Sequence, residues 1–143
     1  VYVRPGGVAN FESCNIHDNT AFNGGGVYVA SNGVANFEGC DIHDNTADYG
    51  GGLYISGTAT LTNTNVYSNT ASQPGSNIYT SGLLFIISSH VRGGMELAAG
   101  STTTYVLPAP PGHWVPAARC EVWREACDSH DSACKAAAAS CST

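Results

Sequence analysis

The chain has 143 residues, a formal net charge of -6 and only 11% charged residues, a size that fits one domain with an appendage. Its five Lys and Arg residues form no basic cluster, which argues against nucleic-acid binding. No run of about 18 apolar residues could form a membrane-spanning helix. Because the sequence has neither an initiator Met nor a signal-peptide pattern, we expect a fragment or a processed form.

The first part of the chain consists of repeats. Residues 1–26 and 27–52 align without a gap and are identical at 19 of 26 positions. A third copy spans residues 53–77, and a more divergent fourth copy spans 78–100. Each repeat has three short segments in which apolar residues recur at every second position, as in strands. The pattern therefore predicts an all-β fold, a parallel β-helix (solenoid) of about four coils with three strands per coil.

Stacking coils about 4.8 Å apart turns each inward-facing position into a ladder of like residues. A single coil cannot bury its own apolar face, whereas several stacked coils can. In the first two coils the predicted core ladders contain Phe11 and Phe37, Ile16 and Ile42, and Cys14 and Cys40. Since the cysteine ladder continues with Thr and Ser, we interpret Cys14 and Cys40 as small core residues.

The corners between strands carry a second repeated signal. Glycines at 24–26 and 50–52 allow sharp turns of the backbone. Asn19, Asn45 and Asn69 occupy equivalent positions in three coils. We expect them to turn inward as an Asn ladder that satisfies backbone groups of the turns.

Short motifs at these corners resemble those of a known family. The segments 24–27 and 50–53 resemble the GG-small-aliphatic motif of the polymorphic outer-membrane-protein family. The segments 16–19, 42–45 and 66–69 resemble its Phe-x-x-Asn motif, with Ile or Val in place of Phe. The resemblance covers roughly residues 1–97 and implies a right-handed β-helix in secreted or surface-displayed proteins, often adhesins. Similar repeats occur in surface proteins of microalgae and other protists.

An aromatic stripe is predicted on the outside of the β-helix, beside the glycine corners. It contains Tyr2, Tyr28, Tyr54 and Tyr79. A row of tyrosines can pack against a protein partner or stack on sugar rings. Cover by the chain's own C-terminal segment is the alternative interpretation.

Two outward pairs are candidate chemical sites. Glu12 and Glu38 would stack on one face, and paired carboxylates serve acid–base chemistry in carbohydrate-active β-helices. The later coils do not continue this pair. His17 and His43 would also stack and are weak candidates for a transition-metal site, although the near-identity of the two coils alone explains the pair. We therefore predict no catalytic residue, no metal and no cofactor.

The C-terminal segment differs in composition. Residues 101–119 predict a capping strand followed by a Pro-rich linker. Residues 120–143 predict a helical hairpin, in which cysteines recur at seven-residue intervals as Cys120, Cys127, Cys134 and Cys141. Three disulfide connectivities exist, of which the hairpin favours Cys127 with Cys134 and Cys120 with Cys141; a zinc site is the competitor. Oxidised cysteines would indicate an oxidising compartment.

Together the patterns predict a non-enzymatic structural or adhesive module of a secreted or cell-surface protein. Its expected partner is another protein or an assembly, with a glycan as the other candidate ligand. The alternatives are a carbohydrate-active β-helix of the lyase or hydrolase kind and an accessory subunit of a larger complex.

Overall fold

The computed structural model describes residues 1–106. This part of the chain contains short β-strands and no helix that could cross a membrane. The predicted linker after it and the predicted hairpin with Cys120, Cys127, Cys134 and Cys141 lie outside the described residues. The strands are β1 (Tyr2–Val3), β2 (Val8–Glu12), β3 (Asn15–His17), β4 (Val27–Val29), β5 (Val34–Glu38), β6 (Asp41–His43), β7 (Thr46–Ala47), β8 (Leu53–Ile55), β9 (Thr58–Thr62), β10 (Asn65–Tyr67), β11 (Thr70–Ala71), β12 (Ile78–Thr80), β13 (Leu83–Ile87), β14 (His90–Arg92), β15 (Met95–Leu97) and β16 (Thr102–Val106).

The strands form three parallel sheets that run along the stacked coils. Sheet 1 has the order β1-β4-β8-β12-β15, sheet 2 the order β2-β5-β9-β13-β16, and sheet 3 the order β3-β6-β10-β14. A short parallel pair, β7 with β11, covers a corner. Each coil contributes one strand to each sheet, because the chain turns a corner after every short strand. The predicted parallel solenoid of about four coils is confirmed.

The core is the inside of this tube. Val27, Val29 and Ile42 are fully buried, and the rings of Phe11 and Phe37 stack at a centroid distance of 4.7 Å. Like residues lie above each other because strands pair in register, position for position with the repeat. Phe11 and Cys14 of the first coil are only partly buried, whereas Phe37 and Cys40 of the second coil are buried.

An Asn ladder lies inside one corner. Asn45 is fully buried, and its Oδ1 accepts hydrogen bonds from the backbone N–H and the side-chain amide of Asn19 at 3.1 and 2.9 Å. Its Nδ2 donates to Oδ1 of Asn69 at 2.9 Å and to the carbonyl of Ile16 at 2.8 Å. Asn69 bonds to Asn77 in the same manner. The ladder thereby satisfies turn groups that would otherwise be buried without partners.

The glycine corners are required by close approach of the backbone. Gly24 and Gly50 adopt left-handed φ angles of 60° and 59°, where a side chain would be strained. A Cβ atom on Gly51 would fall inside van der Waals distance of the carbonyl oxygens of Ser76 and Thr70. Only glycine allows adjacent coils to approach this closely.

The fourth coil is shorter than the predicted range of 78–100. Strand β15 pairs with β12, so a fifth turn begins at Met95. This coil lacks the loop of the earlier coils and the triple glycine of the first two, and Gly93, with φ of 93°, turns the chain directly into β15. The predicted last strand is present as β16, which pairs with β13 and extends sheet 2 into the fifth turn.

Candidate functional site

The outer face of sheet 1 carries a row of tyrosines in register. Adjacent ring centroids of Tyr2, Tyr28, Tyr54 and Tyr79 lie 5.3, 5.0 and 4.9 Å apart. Tyr49 joins from the turn before the second glycine corner, 5.6 Å from Tyr79. We call these five residues the tyrosine row. Tyr49 was not predicted, although an aromatic residue directly before a glycine corner is a usable signal.

The tyrosine row is a partly desolvated aromatic surface. Tyr2 is 59% exposed, whereas Tyr28, Tyr54 and Tyr79 are half-buried by their neighbours. Burial raises the pKa of the Tyr54 phenol above its ordinary value, and the nearby Tyr79 phenol raises it further. In the fifth turn Glu96 takes the next register position, so the row ends at a carboxylate.

The outer face of sheet 3 carries a second aromatic stack. The rings of His17 and His43 lie 5.2 Å apart with an angle of 4° between their planes, and the ring of Tyr67 continues the stack at 4.9 Å and 11°. We call these three residues the histidine column. Nδ1 of each histidine bonds to the next residue, Asp18 at 2.6 Å and Asp44 at 2.7 Å.

The two imidazoles are not oriented to share one metal ion. Both use Nδ1 for the neighbouring aspartate, and their planes are parallel, so their Nε2 atoms are separated by about the ring spacing of 5.2 Å and point the same way. Two nitrogens on one zinc lie at most about 4.2 Å apart, twice the Zn–N distance. Nε2 of His43 also lies 2.8 Å from Oδ1 of Asn15. Within residues 1–106, no group of three or more His, Cys, Asp or Glu side chains is placed to bind a metal.

A shallow depression of about 240 Å³ lies on the same face, beside the end of the histidine column. It is lined by Asp41, Asn65, Tyr67, His90 and Arg92, from β6, β10 and β14. The depression therefore combines an aromatic ring, a carboxylate, an amide, an imidazole and a guanidinium. The repeat pattern did not reveal it, because Tyr67, His90 and Arg92 differ from their equivalents in the first coil.

Comparison with known families agrees with this architecture. The model of a family described as the right handed beta helix region matches residues 1–105. The chain belongs to the right-handed β-helix family. No curated protein and no solved structure matches it. Since β-helix domains occur in enzymes and in non-enzymes, the family defines the fold and leaves the activity open.

The outer face of sheet 2 in this β-helix changes character along the axis. Glu12 pairs in register with Glu38, and Nδ2 of Asn36 donates to Oδ1 of Asn10 at 2.9 Å. The third coil presents three threonines, and the fourth presents apolar side chains, of which Leu83 is 44% exposed. The predicted glutamate pair therefore lies on the surface of the first two coils only.

Proposed function

We propose that this β-helix is a structural or adhesive module that contacts a protein partner through the tyrosine row. The observation that carries the proposal is the continuity of the row, which spans the four coils from Tyr2 to Tyr79. Tyrosines are enriched at protein interfaces because a rigid ring offers a large contact area at little cost in conformational entropy.

The stacked coils make this surface rigid. Parallel strands hold each tyrosine in register with the next, and the side chains beneath them are fully buried. A preorganised surface loses little freedom on binding, which favours affinity. We further propose a secreted or surface-displayed location, supported by the low charge of the chain and by the resemblance of its corner motifs to polymorphic outer-membrane proteins.

Site-specific photo-crosslinking in the native source tests the proposed partner. A photo-reactive phenylalanine analogue replaces Tyr28, inside the tyrosine row, and in a matched control replaces Asn36 on the outer face of sheet 2. We expect one defined protein to be joined at Tyr28 and not at Asn36. The captured protein is then purified, and its affinity is measured for the wild-type chain, Tyr28→Ala and Asn36→Ala.

A tyrosine at the centre of an interface contributes enough that Tyr28→Ala should weaken binding by about tenfold or more. Asn36→Ala should bind as the wild type does. Equal crosslinking at both positions, no crosslinked protein, or unchanged affinity of Tyr28→Ala would refute the role of the row. Recovery of the partner in a fixed stoichiometry would identify the chain as an accessory subunit of a complex.

The carbohydrate-active alternative has a direct assay. Incubation of the full chain with acidic polysaccharide and Ca²⁺ would yield an unsaturated product if the β-helix is a lyase. Glu12→Gln and Glu38→Gln are the variants that connect such a product to the stacked carboxylates of sheet 2.

A further inference from the structure

Cys14 and Cys40 lie at the same corner of adjacent coils, between sheets 2 and 3. Two residues earlier Glu12 pairs in register with Glu38, and just after the corner the N–H of Asp41 donates to the carbonyl of Cys14 at 2.9 Å. The two cysteines are therefore stacked one coil spacing apart, about 4.8 Å. This separation lies within the range of about 4.4–6.8 Å over which disulfides join two Cα atoms.

The two sulfur atoms also lie close together inside this corner. Sγ of Cys14 donates to the carbonyl of Glu12 at 3.4 Å. Sγ of Cys40 lies 3.4 Å from the carbonyl of Glu38 in its own coil and 3.4 Å from the carbonyl of Phe11 in the first coil. Both thiols thus lie against neighbouring carbonyls of one strand, β2. Burial raises the pKa of the Cys40 thiol, and the backbone N–H of Cys14 lowers it, as expected of groups in contact.

The fold itself does not require sulfur at this position. Thr64 and Ser89 continue the ladder in the next two coils, and the backbone N–H of Cys40 donates to Oγ1 of Thr64 at 3.3 Å. Each hydroxyl donates to the carbonyl two residues earlier, that of Thr62 at 3.0 Å and that of Ile87 at 2.8 Å, as the thiols do. A serine in place of either cysteine should therefore preserve the corner, and the sulfur pair is confined to the first two coils.

The two thiols differ in their access to solvent. Both are free thiols in the structure, with Cys14 partly exposed and Cys40 buried. A small oxidant in solution can reach Cys14, whereas Cys40 is reached from Cys14. Thiol–disulfide exchange needs such a division, in which one thiol attacks the oxidant and a second thiol resolves the mixed disulfide.

We propose that Cys14 and Cys40 form a disulfide between the first two coils when the chain meets a low-molecular-weight disulfide such as oxidised glutathione. The Cys14 thiolate attacks one sulfur of the oxidant, whose S–S bond breaks and releases one glutathione thiolate. The Cys40 thiol then loses its proton and attacks Sγ of Cys14, which releases the second glutathione. Two cysteine thiols are thereby oxidised and one disulfide is reduced to two thiols, which take up the two protons.

The bond would close a loop of one repeat and hold the first coil against the second. Because a disulfide places the Cβ atoms about 3.8 Å apart, this corner contracts by about 1 Å when the bond forms. The first coil carries Tyr2 and the second carries Tyr28, so the oxidised chain has the more rigid end of the tyrosine row. The disulfide does not depend on the proposed protein partner, since it forms within one chain.

Mass mapping of the full chain without reduction tests the bond. The chain is equilibrated in glutathione buffers from reduced to oxidised, quenched with acid, and alkylated at its free thiols. A glutamyl endopeptidase that cleaves after Glu12 and Glu38 then places Cys14 and Cys40 on separate peptides, apart from the C-terminal cysteines. The matched variants are Cys14→Ser and Cys40→Ser, and thermal melts establish that both fold.

We expect the two peptides to be joined in oxidised buffer and separate in reduced buffer. Cys40→Ser should retain a glutathione on Cys14, because the mixed disulfide is not resolved, whereas Cys14→Ser should leave Cys40 unmodified. Separate peptides in every buffer, a bond from Cys14 to a C-terminal cysteine, or a disulfide-linked dimer on non-reducing electrophoresis would overturn the proposal. Equal glutathione uptake by the two variants would refute the assigned roles.

Hydrogen exchange of the full chain tests the effect of the bond on the first coil. The N–H of Ser13 and the N–H of Asp41 donate between the first two coils at 2.8 and 2.9 Å. In the oxidised chain both amides should exchange about tenfold or more slowly than in the reduced chain, since the bond restrains opening of the corner. Cys14→Ser should show no such difference between the same buffers. Unchanged exchange in the oxidised wild type would refute the stabilising role.

Discussion

The buried Asn ladder predicts a large difference between two amides that look alike in the sequence. Asn45→Ala removes an acceptor for the Asn19 backbone N–H and, in the buried part of the corner, a donor to the carbonyl of Ile16. Each buried group left without a partner costs about 1–3 kcal/mol. Asn19 is exposed, so access to water lowers the cost at its N–H. We expect Asn45→Ala to reduce the free energy of unfolding by about 2–4 kcal/mol.

The matched control is Asn36→Ala. Nδ2 of Asn36 donates to Oδ1 of Asn10 at 2.9 Å, the same length as the bond from Asn45 to Asn69, but this pair is exposed. Water can replace the lost bond, so the expected cost is below about 0.5 kcal/mol. A second variant, Asn45→Asp, keeps an acceptor for Asn19 but turns an oxygen toward the carbonyl of Ile16, and should destabilise as much as alanine does.

Equilibrium urea unfolding followed by circular dichroism measures these costs from the shift in the midpoint. We expect a large shift for both Asn45 variants and almost none for Asn36→Ala. A free energy of unfolding for Asn45→Ala within about 0.5 kcal/mol of the wild type would contradict this expectation. Equal shifts for Asn45→Ala and Asn36→Ala would show that burial does not determine how much these amides contribute to the free energy of unfolding.

Three further measurements test other parts of the fold. Gly51→Ala forces a Cβ against backbone carbonyls of the next coil. It should lower the free energy of unfolding, measured from the urea midpoint, by about 1–3 kcal/mol. Burial raises the pKa of the Cys40 thiol, so iodoacetamide at neutral pH should label the half-buried Cys14 first, and mass mapping that found Cys40 labelled equally fast would contradict this. Burial also raises the pKa of Tyr54, so its contribution to stability is complete below its unfolded-state value of about 10 and is lost as the pH rises through the folded value. Melting temperatures of the wild type should therefore fall more steeply at alkaline pH than those of Tyr54→Phe, and parallel curves would argue against a buried phenol.

The fold was predictable because the repeat encodes its own register. When two coils are nearly identical, an in-register parallel stack is the arrangement that places Phe11 on Phe37 and Ile16 on Ile42, with every inward residue matched to its like. A shift by one residue would turn these side chains outward. The corner glycines and the Asn ladder agree with the same register, so several independent signals favoured one structure.

Deviations from the repeat were harder to predict. Asn77 extends the Asn ladder from a position that Gly26 and Gly52 hold in the earlier coils, and its Nδ2 also bonds to the carbonyl of Arg92. Only the folded chain brings these residues together, because the shortened fourth coil changes which turn lies next to Asn69. The fourth coil is shorter than the predicted range of 78–100 for a related reason, since the direct turn at Gly93 replaces a whole loop.

The same holds for the candidate sites: features that repeat from coil to coil were predictable from the sequence, and features of a divergent coil were not. The tyrosine row repeats in every coil, so the sequence predicted four of its five members. Arg92 lies beside Tyr67 only through the register of a divergent coil, so the depression became visible only in the structure. The histidine pair was predictable because it repeats in the first two coils. Its parallel rings are explained by that repetition and by the two aspartates that bond to Nδ1.

The difference between identical and divergent coils determines where specific recognition can occur. Identical coils place identical groups one above another, which suits a continuous contact surface such as the tyrosine row. A site that distinguishes one small ligand from another needs different groups close together, as Tyr67, Asp41 and Arg92 are in the depression. In a β-helix such groups meet where neighbouring coils differ. The outer face of sheet 2 shows the same behaviour, since its paired amides and carboxylates give way to the exposed Leu83 in the fourth coil. Divergence of the third and fourth coils therefore creates chemical variety while the inward ladders, which remain apolar or hydrogen-bonded, keep the stack intact.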